Sequence, residues 1–154
     1  MKIKWKIVAL VYFFLIIASG IFAQTVAPLV SEYGKKASGS FKIQNNTLQP
    51  VAVTVEAYSF SLDKDGQHFR KLDDTVHVTL SQSSARLSPM EIHEFNYKVT
   101  CAAMPCMVSF QTGMVVGHTT DGLQVRLILP HAVYLCEKQK NCRQDVLTDA
   151  GLWK

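Results

Sequence analysis

The residues whose type and spacing most directly imply chemistry are four cysteines, Cys101, Cys106, Cys136 and Cys142, all beyond residue 100. An even number of thiols reads as a disulfide framework in an oxidising compartment, and as metal ligands or redox groups in a reducing one. Four cysteines allow three connectivities, and spacing alone does not choose among them. The local pairs Cys101–Cys106 and Cys136–Cys142 are the expectation. The first would clamp a tight turn that contains Pro105, and the second would tie the last strand to the C-terminal tail. Each such bridge would contribute about 2 kcal/mol by restricting the unfolded chain. The rival use is zinc, which favours two to four residues between paired cysteines and histidine partners. The two intervals here hold four and five residues, and His118 and His131 lie between them. A thioredoxin-type site would need Cys-x-x-Cys, which does not occur. Disulfides with no bound metal are therefore expected.

Other groups capable of chemistry are scattered. There is no Gly-x-Ser-x-Gly, no His-Glu-x-x-His and no phosphate-cradling glycine loop. The five histidines stand at 68, 77, 93, 118 and 131, and His77 and His93 are placed as cross-strand neighbours. Glu91 and Glu94 flank His93, but three residues apart on a strand they face opposite sides. Met104 and Met107 bracket Pro105-Cys106 and read as gap-filling side chains rather than soft-metal ligands. Tyr58, Phe60 and Phe69 would be the platform of a carbohydrate site if exposed, with core packing as the default. The chain is read as a non-enzyme without a cofactor.

The charge is modest: +4 over 154 residues, and without Lys2, Lys4 and Lys6 the remaining 13 basic and 12 acidic residues leave +1. A nucleic-acid footprint is not supported. Those three lysines precede Ile7–Ile17, eleven apolar residues without a charge, and then Ala18-Ser-Gly-Ile-Phe-Ala23. A basic stretch, an apolar stretch and a small residue in this order form a secretory signal. Residues 1–23 are assigned to it, with cleavage after Ala23 and Gly20 as the second choice. The alternative is an uncleaved anchor, although Ile7–Ala23 is at the short limit for spanning a bilayer. No later segment is apolar enough to span. The remaining 131 residues suffice for one core that buries about two-thirds of the unfolded surface.

Most of that remainder alternates with period two, the signature of half-buried strands. Val51, Val53, Val55 and Ala57 share a face, as do Val76, Val78 and Leu80. Phe95, Tyr97 and Val99 form a third set, and Leu123, Val125, Leu127 and Leu129 a fourth. Strands are expected near 25–33, 39–45, 50–61, 67–71, 75–80, 90–100, 106–116 and 123–135. Turn signals separate them, including Asp63-Lys-Asp-Gly66 and Gly117-His-Thr-Thr-Asp-Gly122. No convincing amphipathic helix is visible, and Glu137–Lys154 is the one ambiguous piece. The fold class is all-β: a single-domain immunoglobulin-like β-sandwich of seven or eight strands over 24–136, followed by a tail, 137–154.

The order of several short motifs resembles the N-terminal domain of periplasmic pilus chaperones of the chaperone–usher pathway, in its divergent branch. The motifs are Val26-Ala-Pro-Leu-Val30, Ser40-Phe-Lys-Ile-Gln-Asn45, Pro50-Val-Ala-Val-Thr-Val55 and Asp63-Lys-Asp-Gly66. Leu72-Asp-Asp-Thr-Val-His-Val78, Leu87-Ser-Pro89 and Leu123-Gln-Val-Arg-Leu-Ile-Leu-Pro-His-Ala-Val-Tyr134 follow. The resemblance implies a periplasmic protein that assists folding or assembly of pilus subunits, with those subunits and an outer-membrane usher as partners. It implies donor-strand binding, in which the last strand is lent to an incomplete subunit. Leu123, Val125, Leu127 and Leu129 would be the donor residues, with Arg126 and Ile128 on the opposite face. The competing assignment is that the first four face this domain's own core. Two departures are plain. Typical members have a second sandwich domain, and they hold the subunit's C-terminal carboxylate with an Arg on the first strand and a Lys on the last. Thr25–Tyr33 has neither basic residue, and Pro130–Ala132 has no Lys, so Arg126 is the available stand-in. A structural or adhesive sandwich module of a surface fibre is the alternative function.

Overall fold

A computed structural model of the chain describes residues 24–116, 125–138 and 140–153. The proposed signal, the turn at 117–122, His118 and the donor candidate Leu123 lie outside the described residues. Ten strands and one helix occur among those described: β1 Thr25–Ala27, β2 Val30–Tyr33, β3 Lys36–Gln44, β4 Val51–Asp63, β5 Gly66–Lys71, β6 Val76–Leu80, β7 Ser84–Leu87, β8 Ile92–Cys101, β9 Cys106–Val116, β10 Val125–Leu135 and α1 Cys142–Asp149.

The strands form two sheets, one ordered β1-β3-β8-β6 and the other β2-β10-β9-β4-β5, with β7 also paired to β4. Alternation decides which side chains enter the space between them. Val51, Val53 and Val55 are buried while Ala52, Thr54 and Glu56 are exposed, and Phe95, Tyr97 and Val99 are buried between exposed neighbours. Each fully buried side chain of this size contributes about 1.5–3 kcal/mol. The centre is aromatic: Phe41 lies 5.5 Å from Phe95 and 5.7 Å from Phe110 between ring centroids, and Tyr97 lies 4.7 Å from Phe110. The architecture is a single-domain immunoglobulin-like sandwich, as the period-two pattern predicts.

Three elements differ from the expectation. The strand expected at 25–33 is two strands, because Pro28 interrupts the ladder and the chain crosses from one sheet to the other. Thr25–Ala27 pairs antiparallel with β3, whereas Val30–Tyr33 pairs parallel with β10. The short strand Ser84–Leu87 is additional to those expected; it buries only Leu87 fully and pairs with the first four residues of β4. The tail contains α1, which rests on the outer face of the second sheet. Its Cys142 and Val146, four residues apart, are buried with Phe60 and Tyr134. Asn45 ties together the turns at the opposite end. Its amide nitrogen donates to the carbonyls of Gln49 (2.8 Å) and Ser88 (2.9 Å), and its side-chain oxygen accepts from Thr47.

Both local cysteine pairs are joined, Cys101–Cys106 across the β8–β9 turn and Cys136–Cys142 between β10 and α1. Their sulfurs are therefore not available as thiolate ligands. Among the described residues no helix is long and apolar enough to cross a membrane.

Candidate functional site

Strand β10 has two unlike halves. On one side it pairs with β9 along its whole length, from Val125↔Val116 to Leu135↔Cys106. On the other side it pairs with β2 only over Ala132↔Val30 to Leu135↔Tyr33. Among the described residues nothing pairs with that second side from Val125 to Pro130.

The ladder shows which backbone groups this leaves unpaired. Ala132 N–H donates to the Leu29 carbonyl at 2.8 Å and Cys136 N–H to the Tyr33 carbonyl at 3.2 Å, so even-numbered residues of β10 face the β2 side. Backbone groups alternate along a strand paired antiparallel. Arg126 and Ile128 therefore each offer an N–H and a C=O to the open side. Pro130 offers a carbonyl alone, having no N–H.

The side chains sort by the same parity. Leu127 and Leu129 are half-buried and pack against this domain's own core. Val125 is 46% exposed, and on the opposite face Ile128 is 55% exposed. Leu29, 61% exposed, stands where β2 begins and so extends the apolar edge. Sequence reasoning missed Leu29, because nothing local marks a residue that becomes edge-lining only when two remote strands meet. Arg126 is exposed and lies over Gly113 of β9. A Cβ added at Gly113 would come 3.1 Å from both the Arg126 guanidinium and the Thr54 hydroxyl, so glycine makes room for this arrangement. The Tyr58 hydroxyl donates to the Glu56 carboxylate at 2.5 Å, which pushes the phenol above its ordinary range, while Arg126 acts weakly in the opposite sense.

Just beyond the open half, His131 is fully buried. Its Nδ1 lies 2.6 Å from the Pro28 carbonyl and its Nε2 3.0 Å from the Tyr97 hydroxyl, which is 3.1 Å from the Tyr33 hydroxyl. A carbonyl only accepts, so Nδ1 carries the proton and donates. Nε2 then accepts from Tyr97 O–H, and Tyr97 accepts from Tyr33 O–H. Burial holds the imidazole below its ordinary value and pushes the Tyr97 phenol up, the bond with Tyr33 adding to the second shift. Gly39 lies beneath both tyrosines: a Cβ there would overlap the Tyr33 hydroxyl.

The remaining candidates separate. His77 of β6 pairs with Thr100, seven residues along β8 from His93, so the two histidines are not cross-strand neighbours. His93 instead contacts Gln82. Of the three candidate platform aromatics, Phe60 is buried, Tyr58 half-buried and Phe69 exposed, so they do not form one exposed face. Met104 packs against the main core and Met107 against the cluster under α1. Among the described residues no group of three or more His, Cys, Asp or Glu side chains could hold a metal ion.

No family profile and no curated protein matches the sequence. Solved structures do match its fold. A chain of the CsuC–CsuE chaperone–tip adhesion subunit complex from Acinetobacter baumannii superposes with a TM-score of 0.52 at 13% identity, covering 86% of this chain and 68% of that one. The Salmonella enterica SafA pilin–SafB chaperone complex gives 0.55 at 12% identity, covering 77% of this chain and 56% of that one. SSP-19, an MSP-domain-like protein of Caenorhabditis elegans, gives 0.50 at 8% identity, covering 73% of this chain and 98% of that one. The protein therefore has a pilus-chaperone-like immunoglobulin fold, one that also occurs outside pilus systems. It spans a little over half the length of the matched chain in the SafA–SafB complex.

Proposed function

We propose that the protein is an exported, non-catalytic chaperone that assists assembly of pilus-type subunits by pairing the open half of β10 with an incomplete sandwich. The observation that carries this reading is the half-covered last strand: among the described residues Val125–Pro130 is paired on one side only, and exposed Val125, Ile128 and Leu29 line it. A subunit lacking a strand exposes unpaired backbone groups and apolar side chains together. A lent strand satisfies both, which is the logic of strand addition. The free backbone of Arg126 and Ile128 would supply hydrogen bonds, with Arg126 at the rim available to a carboxylate. Leu123, Val125, Leu127 and Leu129 remain the donor set to be tested, Leu127 and Leu129 through their exposed portions. Residues 1–23 would direct export to the periplasm, and an outer-membrane usher would be the second partner.

The test is capture of a pilus-type sandwich lacking one strand by the chain Gln24–Lys154. Capture that protects the client from aggregation at equimolar ratio, and is lost in Ile128→Pro, supports the reading. Self-association through the same edge, with no client capture, would point to a fibre module instead. Export is checked separately by placing Glu within Ile7–Ile17: unchanged processing would remove the signal-peptide assignment.

A further inference from the structure

The assembly reading leaves one feature unused, the buried histidine at the junction between the open and covered halves of β10. His131 is enclosed by Phe41 of β3 (4.9 Å between centroids), Tyr97 of β8 (5.3 Å) and Phe110 of β9 (6.0 Å). Its fourth side is the Pro28 carbonyl, where the chain leaves β1 for β2. The titratable groups facing it are the Tyr97 hydroxyl and, behind that, the Tyr33 hydroxyl of β2. Phe41 and Phe110 bring none.

The neutral ring is fully used, with Nδ1–H donating and Nε2 accepting. A proton added at Nε2 turns that atom into a donor, so Tyr97 O–H must turn away and give up the bond it made to the ring. The new charge is also buried among aromatic rings without a counter-charge, which is costly until the ring reaches water. The structure opens where it is weakest. Around His131 that place is the segment on either side of Pro28: β1 is held by three residue pairs and β2, half-buried throughout, by four, against eleven pairs between β10 and β9 and nine between β3 and β8.

We propose that His131 is an acid-released latch: protonation at Nε2 frees Pro28 and β2 from β10 and extends the open edge from Pro130 to Leu135. The sign follows from burial. The imidazole is held below its ordinary value of 6.5, so the undocked state binds the proton more readily. Docking is fully favoured above that value and is lost progressively as the pH falls below it. The regulatory meaning rests on the assembly reading; the latch itself does not.

Amide hydrogen exchange on the chain Gln24–Lys154, corrected for intrinsic rates, is the test. The reporters are the amides of Ala132 and Cys136, which donate to Leu29 and Tyr33. One proton linked to opening should lower their protection progressively between pH 7 and pH 4.5, with about 100-fold as the ceiling, while amides of the β3–β8 ladder keep theirs. The His131 ring resonance should titrate in step with that loss, a reading that needs no variant. In His131→Gln, if it folds, the pH dependence should vanish. The latch is overturned if Ala132 and Cys136 lose protection only together with the β3–β8 ladder. It is equally overturned if their loss is independent of the His131 ring signal, or persists in His131→Gln. Client capture at pH 7 decides the assembly reading separately, since the amide measurement contains no client.

Discussion

Gly39 shows how much one missing side chain does here. It sits on β3 where the Tyr33 and Tyr97 hydroxyls converge, and any Cβ would push Tyr33 from its place. Gly39→Ala should therefore destabilise the protein by about 1–3 kcal/mol, the usual cost of overpacking, read as a lowered Tm. Tyr33→Phe in the Gly39→Ala background should recover part of that loss, because it removes the overlapping oxygen. An unchanged Tm in Gly39→Ala would mean that Tyr33 shifts freely and that the hydroxyl chain to His131 is loose. None of this was legible in the sequence. A glycine in an alternating run looks like any weak strand position, and His131 looked like one of five scattered histidines. Close approach between side chains separated by tens of residues leaves no local signature. Asn45 is the contrary case: the polar run Gln44-Asn-Asn-Thr47 between two apolar alternations is itself a turn signal, and the buried Asn45 amide is what holds that turn.

At the scale of the element, β10 presents a packed face and an open edge on one backbone. From Leu127 onward its odd-numbered side chains reach the core, and its even-numbered backbone groups meet the open side as far as Pro130. Leu129→Ala should lower stability by about 2 kcal/mol through lost burial. Ile128→Ala should leave Tm nearly unchanged and weaken client capture. Proline makes the sharper contrast, because it deletes one N–H and is tolerated where that N–H faces outward. Ile128→Pro should fold and lose capture, whereas Leu129→Pro should break the β9 ladder and unfold. If both prolines fold equally well, the parity deduced from Ala132 and Cys136 is wrong. The alternation of Val125, Leu127 and Leu129 made the two faces readable in advance, since period two assigns faces directly. Which edge stays uncovered could not be read, because it depends on where Pro28 ends β1 and how far β2 reaches along a strand a hundred residues later. The helix α1 was hidden for a related reason. Only Cys142 and Val146 are buried in a mostly polar stretch, and so short a helix is held by the Cys136 link and by Phe60 and Tyr134 rather than by its own propensity.

For the molecule as a whole, the two disulfides close short loops at the same end of the β9–β10 ladder, where Leu135 pairs with Cys106, but they tie different elements, so their loss should be separable. Replacing Cys136 and Cys142 together by Ser should cost about 2 kcal/mol and free α1, exposing Phe60 and Tyr134. The pair Cys101 and Cys106 should cost a similar amount without affecting the helix. Differential scanning calorimetry and the near-ultraviolet signal of Tyr134 would report the two outcomes. The parallel pairing of β2 with β10 has a mechanical consequence as well. Handles at Leu29 and Glu137 grip opposite ends of the paired segment, so a pull shears all four pairs together. Handles at Gly34 and Glu137 grip the same end and peel the pairs apart one by one. Force spectroscopy should find a markedly higher rupture force for the first geometry than for the second. The chain would then resist tension along its last strand while letting its first segment unzip under a small sideways load.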